Sequence, residues 1–562
     1  MATVNTVRGH RDRRWTGLAI LLILGTGTAL RFWRISWGLD SRAWFPDELV
    51  YSERITDFIP LSWASFDLEK LVYPSLYSYL AGLAAWLAYS IGLPAHAPGV
   101  FSPSTILIAR LTSAALGVAT IAIVGVTASR MYSQRAGLAA AALMAVAPLA
   151  VMNAHIAATD VPLTAFVSLA MLAAHALAAR GGRALAGVAG WTAGLCCATK
   201  YTGLAMLVPL AWAALERGFA ERSAWPAVLL AAIGAATFAL GFALACPPCI
   251  IHADRMIGAM WREAIYTSLL PQGSSNNYLA ASLGWYGRPY LYELVASLPF
   301  SLGWPLYGLA LVGIGLAIRR HELADRLILA TVLPYLVFMG HSPVVFPRYL
   351  LPLFPGLVIL AGRALTATDR RPLLPASLFV AVWVYSLVLA GTQVARFSAG
   401  QQESLARWIA ASVTEPGGRP RHGVRVAIPY VTKGLDYFHL KEPLARAGLA
   451  YLLVDPGHWL EASPEFFVLP DWLAISLRRD SPQSPAALEL DQLESGAAGY
   501  RLAARWRSSY LQRDLYTRLD PAFAGDLWQG EIGFSVYRHV LTEPGGDVPA
   551  RSRVSQRAAG PD

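Results

Sequence analysis

The sequence predicts an α-helical polytopic membrane protein with a small α/β domain at its C-terminal end. Three observations predict this. Of the 562 residues, 55% are hydrophobic and 15% are charged, whereas soluble domains carry about 25% charged residues. Apolar runs recur through the first 392 positions, many near the roughly 20 residues needed to cross a hydrocarbon core about 30 Å thick. Residues 395–562 then change character: they hold most of the Asp and Glu and no run long enough to span.

Taken in order, the apolar runs are 15–36, 110–129, 137–152, 161–179, 184–199, 202–215, 225–246, 294–317, 327–340, 350–366 and 372–392, which predicts about eleven transmembrane helices. The first follows Arg8, Arg11, Arg13 and Arg14. It is read as a retained span, because it is long and lacks Ala-x-Ala-like cleavage residues. Residues 73–93 are also long enough to cross, and charge decides whether they do. If they do not, the cytoplasmic segments are 8–14, 130–135, 180–183, 216–222, 319–326 and 369–371, and every one contains arginine. If they do, each later arginine cluster falls outside, against the positive-inside bias. Residues 37–109 are therefore one long outer loop, with 73–93 lying on or dipping into the membrane surface. The N-terminus is then inside and the C-terminal domain extracytoplasmic. The formal net charge of +10 belongs to the inner loops and not to a nucleic-acid face, so the expected surroundings are the lipid bilayer and no nucleic acid.

The domain boundaries expected are 1–394 for the membrane part, with outer loops 37–109 and 247–293, and 395–545 for the α/β domain. Residues 424–428, 451–454 and 473–477 read as short buried strands, with a helical pattern around 444–449 between the first two. Residues 546–562 are polar and rich in Pro and Gly, and read as a disordered tail. Cys196 and Cys197 lie inside an apolar run and are expected simply to pack. Cys246-Pro-Pro-Cys249 ends a span. The spacing allows a disulfide if that end faces an oxidising compartment, and it lacks the strand–helix context of a redox motif.

The predicted topology gathers ionisable groups of both signs on one membrane face: Asp47-Glu48 inside Trp44-Phe45-Pro46-Asp47-Glu48-Leu49-Val50-Tyr51, His155 with Asp160, Lys200-Tyr201, the loop 247–293 and Arg348-Tyr349. Singly, each has an ordinary explanation, such as acids at a helix start or a snorkelling cation. Together they suggest a site. A carboxylate can deprotonate an incoming hydroxyl or amine, and Arg or Lys can hold a phosphate. Trp285, Tyr286, Tyr290 and Tyr292 either line a substrate path or form an interfacial belt. No Gly-rich phosphate loop of the Walker type is present.

These motifs resemble the GT-C glycosyltransferases, in the branch of protein O-mannosyltransferases and aminoarabinose transferases (glycosyltransferase family 39-like). The resemblance rests on ordered pieces between residues 15 and 392. Phe45-Pro46-Asp47-Glu48 with Tyr51 is similar to the family's first acidic motif. His155-Ile156-Ala157-Ala158-Thr159-Asp160-Val161-Pro162 is similar to the second. Ala193–Gly203, ending Thr199-Lys200-Tyr201-Thr202-Gly203, matches closely. Arg110-Leu111, Gly287-Arg288-Pro289-Tyr290-Leu291-Tyr292 and Pro347-Arg348-Tyr349-Leu350-Leu351-Pro352 also fit. Tyr73-Pro74-Ser75 departs from the family's His-Pro-Pro, which removes any role given to that His.

The resemblance implies a GT-C fold and inverting transfer of one sugar from a polyprenyl-phosphate donor to an acceptor at the outer face of the cytoplasmic membrane. Asp47 would be the general base. Glu48 would be its supporting carboxylate or a contributor to a metal site, and Asp160 would position donor or acceptor. Lys200 and Arg348 are the candidates for the lipid phosphate, on charge and side alone. Tyr51, His155, Tyr201, Arg288, Tyr290 and Tyr349 would line the substrate. No cofactor is specified, and a divalent cation is left open. The acceptor is undetermined: glycan, lipid or protein. The alternatives are a polytopic transporter, which would place charges mid-span in two related halves, and a non-catalytic membrane scaffold.

Overall fold

The computed structural model describes residues 2–39, 46–67, 73–93, 102–269, 289–341, 346–367, 373–397, 400–414, 424–429, 440–455, 457–470, 473–474, 477, 483–506 and 534–540. They fall into two compact units, one within Met1–Ala399 and one within Gly400–Arg507 and Ile532–Asp562. The expected tail at 546–562 lies outside the described residues, as do Trp285, Tyr286 and Arg288.

The first unit is helical. Its long helices are α1 (Ala2–Phe32), then, after two short helices α2 (Pro46–Thr56) and α3 (Leu76–Ser90), α4 (Pro103–Met131). The α4 start is written locally: Ser102 caps it by accepting from the Ser104 N–H at 3.2 Å, and Pro103 takes the first position, where no N–H is needed. The 15 residues of α3 extend only about 22 Å at 1.5 Å per residue, short of a full crossing.

The chain continues as α5 (Gln134–Ala145), α6 (Pro148–Asn153), α7 (Asp160–Arg180) and α8 (Arg183–Thr199). The expected span over 137–152 is thus two short helices. Pro148 cannot continue α5, since its ring blocks the preceding turn. The Met144 and Ala145 carbonyls left at that end accept from the buried guanidinium of Arg31 on α1, at 3.0 and 2.8 Å. A cation at a helix C-terminus is electrostatically favourable.

After a 3-10 turn (Tyr201–Met206) come α9 (Leu207–Glu221), α10 (Ala224–Ala245), α11 (Pro248–Ile251) and α12 (Ala253–Leu269). Cys246 and Cys249, between α10 and α12, are joined by a disulfide with Cα atoms 5.4 Å apart. Next are α13 (Pro289–Tyr292), a π-helical turn (Glu293–Ser297), α14 (Leu298–Leu302) and α15 (Trp304–Arg320). The set ends with α16 (Leu323–Gly340), a 3-10 turn (Pro347–Leu353), α17 (Phe354–Thr366) and α18 (Leu373–Arg396). The expected span 294–317 is a pair bent by 119° at Gly303. Among the described residues, 8 helices are long and apolar enough to cross a membrane, or 9 counting that bent pair. The difference from the expected eleven comes from the α5–α6 break and from the 17-residue α8.

Small residues set the closest helix approach. A Cβ on Gly190 or Gly194 of α8 would collide with the α10 backbone at Gly234 or Phe238, the small-residue contact by which membrane helices gain dispersion energy. At the helix ends carrying the arginine-rich loops, buried Arg363 pairs with Asp325 and with Glu322 (2.9 Å). Arg326 there clasps Glu216 with two bonds of 2.6 and 2.7 Å, fastening α16 to α9.

The second unit opens with α19 (Gly400–Ser412) and holds a five-stranded mixed sheet: β1 (Arg425–Pro429), β2 (Ala450–Val454), β3 (Phe466–Pro470), β4 (Tyr500–Trp506) and β5 (Phe534–His539). The order is β2-β1-β3-β5-β4. β1 runs parallel to β2 and β3, and β5 antiparallel to β3 and β4. α20 (Lys441–Arg446) makes the β1–β2 crossover, so the expected α/β alternation is present. The strand expected at 473–477 is a correction. The third strand is Phe466–Pro470, and Leu473–Ala474 are helical. Phe-Phe-Val-Leu-Pro is buried throughout as a central strand must be, while the alternation at 473–477 also fits a helix turn.

Replacing Gly190 by Leu should push α8 off α10. Overpacking of this kind costs about 1–3 kcal/mol, seen as a thermal midpoint lowered by several degrees in detergent. An unchanged midpoint would show that this contact is not close-packed.

Candidate active site

The site begins at the first turn of α2, where Pro46 holds the first helical position and Asp47 and Glu48 follow. Acids here meet the positive end of the helix dipole. Adjacent residues on a helix point about 100° apart, so the two carboxylates enter different surroundings.

Glu48 turns inward and is fully buried, as is its partner Arg110 of α4. Arg110 donates from Nε to Oε1 and from Nη2 to Oε2, both at 2.7 Å. Its Nη1 donates to the carbonyls of Ile35 (3.1 Å) and Trp37 (2.5 Å), and its head lies 4.3 Å from the Trp37 ring centre. Glu48 Oε1 also accepts the Ala157 N–H at 2.9 Å. One ion pair therefore joins the end of α1, α2, α4 and the segment before α7.

Asp47 turns the other way, with a third of its side chain exposed. Its Oδ2 accepts from Arg348 Nη2 at 3.2 Å. Arg348 Nε lies 3.7 Å from Asp160 Oδ2, and Lys200 Nζ donates to Asp160 Oδ1 at 2.7 Å. The four groups form a line of alternating charge, Asp47–Arg348–Asp160–Lys200. Local structure places each one. Asp160 opens α7, Lys200 sits in extended backbone between α8 and the next 3-10 turn, and Arg348 lies in the 3-10 turn before α17. Aromatic faces fix the cations: Lys200 Nζ is 4.1 Å from the Tyr349 ring centre and 5.7 Å from that of Tyr73. Arg348 lies over Phe346 at 4.4 Å. Asp160 is 4% exposed. Two unit charges 4 Å apart are worth about 4 kcal/mol near a protein surface and about 1 kcal/mol in water. The inner pair is therefore fixed and the outer carboxylate is free to exchange partners.

Tyr51, one turn beyond Asp47, is buried, 6.4 Å from Tyr73 in a stacked arrangement and 5.0 Å from Tyr77 edge-on. Burial raises its phenol pKa, so it stays neutral.

Of the expected site residues, the structure brings Asp47, Asp160, Lys200, Arg348 and Tyr349 together, with Tyr51 beside them. Tyr201 follows Lys200 and is half-buried. Glu48 faces away from the open side. His155, expected to line the substrate, is fully buried, its ring nitrogens 2.9 Å from the carbonyls of Val151 and Trp33 and its ring stacked on Phe397 at 4.5 Å. Burial takes its pKa down to about 4, so it is neutral at pH 7. Tyr290 is exposed and abuts Gly340. Arg288 lies outside the described residues.

Arg110 and Tyr73 were not expected at the site. The signal for Arg110 was a lone arginine at the edge of an apolar run, costly unless paired. Tyr73 stood out in the sequence only as a departure from the family's His-Pro-Pro, and its ring meets Lys200 only in three dimensions. Among the described residues no three His, Cys, Asp or Glu side chains are grouped to hold a metal ion. Asp47 and Asp160 are instead held by cations.

Removing one partner of a buried ion pair strands the other and costs about 3–5 kcal/mol. Arg110→Leu or Glu48→Ala should therefore lower the thermal midpoint strongly, whereas Asp47→Asn should leave it nearly unchanged. Equal midpoints for all three would remove the clamp assignment.

Residues 100–242 match the model of a family described as dolichyl-phosphate-mannose-protein mannosyltransferase. Among solved structures, the chain is similar to the ArnT of Cupriavidus metallidurans bound to undecaprenyl phosphate. That match has 15% identity and a TM-score of 0.47, and covers 94% of this chain and 99% of that one. It is also similar to the apo oligosaccharyltransferase of Archaeoglobus fulgidus, with 12% identity and a TM-score of 0.47, covering 85% and 72% of the two chains. No curated protein matches the chain. The family match covers residues 100–242, about a quarter of the chain, and there the chain is similar to a family of membrane mannosyltransferases.

Proposed function

We propose that the protein transfers a single sugar from a polyprenyl-phosphate donor to an acceptor at the outer face of the cytoplasmic membrane, with inversion and with Asp47 as general base. The observation that carries this reading is the placement of Asp47. It is the exposed end of an otherwise buried line of charges, where a carboxylate can meet an acceptor without stranding a partner. The dolichyl-phosphate sugar in the name of the matching family supports a lipid phosphate as leaving group.

In the step proposed, Asp47 accepts the proton of the acceptor hydroxyl or amine. The acceptor atom attacks the anomeric carbon from the face opposite the lipid phosphate. The bond from that carbon to the phosphate oxygen breaks, and its electron pair stays on the phosphate. Arg348 and Lys200 are the cations to which that charge is delivered. Arg348 touches both acids, so it couples the open carboxylate to the buried one. Glu48 positions α2 through Arg110 and takes no part in the proton transfer.

The purified chain in lipid, given a panel of radiolabelled polyprenyl-phosphate sugars and an acceptor-rich membrane extract, should release polyprenyl phosphate from one donor. Asp47→Asn should lower that release about 10²–10⁴-fold, the scale of general-base catalysis, with folding intact. Release undiminished in Asp47→Asn would sink the base assignment, and no release from any donor would sink the donor class.

The orientation has its own test. Trp63 is 92% exposed in the first loop, and Ser133 is exposed at the start of α5. A membrane-impermeant thiol reagent added to intact cells should mark Trp63→Cys and not Ser133→Cys. The reverse pattern would invert the topology.

A further inference from the structure

Arg54 is a buried cation that the mechanism above does not use. It is 3% exposed, yet among the described residues its Nε and Nη2 reach no hydrogen-bond acceptor. Its Nη1 makes one long contact, 3.5 Å to the Tyr73 carbonyl. Burial pulls its pKa down, and the carboxylates within reach of its charge are those of Glu53 and Asp57. Those two carboxylates lie at exposed positions, where water screens them. The end of α2 supplies some compensation, since Arg54 is in its last turn. A guanidinium with two buried, unused donors is still an arrangement that an incoming anion completes.

Its position ties it to the site. Arg54 follows Asp47 by seven residues and Tyr51 by three, which places all three on one face of α2. Seven residues of helix rise about 10 Å. A base–acceptor hydrogen bond of about 3 Å and an attack distance of about 3 Å put the leaving phosphate within that range of Asp47. The Tyr73 residue that Arg54 touches through its carbonyl carries Lys200 near its ring. Charge balance points the same way. Before any proton transfer Asp47 and Asp160 balance Arg348 and Lys200, so the resting line offers an incoming phosphate no net positive charge.

We infer that Arg54 is a further phosphate-binding residue, supplying the uncompensated positive charge for the anionic head of the substrate. This rests on the donor class proposed above. The shared chemistry is a phosphate monoanion or dianion, whether carried by lipid or free.

The test measures binding to the full chain in nanodiscs with three probes: a polyprenyl phosphate, the matching polyprenol and inorganic phosphate. Arg54→Gln should weaken polyprenyl phosphate about tenfold or more, Arg54→Lys should recover part of the loss, and polyprenol binding should not change. The ligand-free thermal midpoint of Arg54→Gln should stay level or rise, because an unpaired buried charge is removed. Unchanged phosphate binding in Arg54→Gln would overturn the inference, as would a lowered ligand-free midpoint with affinity intact, which marks a structural arginine. If inorganic phosphate binds through Arg54 and polyprenyl phosphate does not, the anion site stands and the lipid donor falls. If Arg54→Gln is silent while Asp47→Asn still abolishes transfer, the donor reading stands and this inference falls.

Discussion

The buried bidentate pair between Glu48 and Arg110 is the interaction on which the rest of the site depends. It is fully enclosed, and all its geometry is used: two bonds between the charges, two from Arg110 to the carbonyls after α1, and one from the Ala157 N–H to Glu48. A buried pair of this kind gains little net stability over an apolar replacement. Its value is positional. It fixes the rotation of α2, and that rotation aims Asp47 at Arg348. It also draws in the segment before α7, which sets where Asp160 begins its helix.

Given that constraint, the four-membered line of charges has a division of labour set by burial. At its inner end, Lys200 and Asp160 are dry and close, and aromatic rings limit the motion of Lys200. At its outer end, Asp47 is wet and its bond to Arg348 is longer. Coulomb energy falls steeply as the effective dielectric rises, so exchange of partners is cheapest at Asp47. Chemistry that takes up a proton belongs at such an end, and charge that must not move belongs at the other.

Much of the site was legible in the sequence because charged residues are expensive in an apolar chain. Asp47, Asp160, Lys200 and Arg348 stand out at the ends of apolar runs, and positive-inside counting put them on one face. What the spacing did not show was the phase of each helix. Asp47 and Glu48 are neighbours in sequence but sit about 100° apart on α2, and one became solvent-facing and the other a clamp. His155 was singled out for its company with Asp160, yet its ring turns to two backbone carbonyls in the interior. Arg54 carried no signal, since an arginine among polar loop residues looks solvated until its burial is seen.

The amino-acid sequence by itself determined that this chain is a helical membrane protein with an α/β unit after residue 395, and which ionisable residues are candidates. Those properties follow from summed transfer energies along the chain, which need no partner. Only the tertiary structure decided that α5 stops at Pro148 with Arg31 covering its end, that α8 and α10 meet at glycines, that the third strand is Phe466–Pro470, and which carboxylate faces outward. These depend on groups far apart in sequence meeting at hydrogen-bond and van der Waals distance, and such contacts have no local pattern from which to be read.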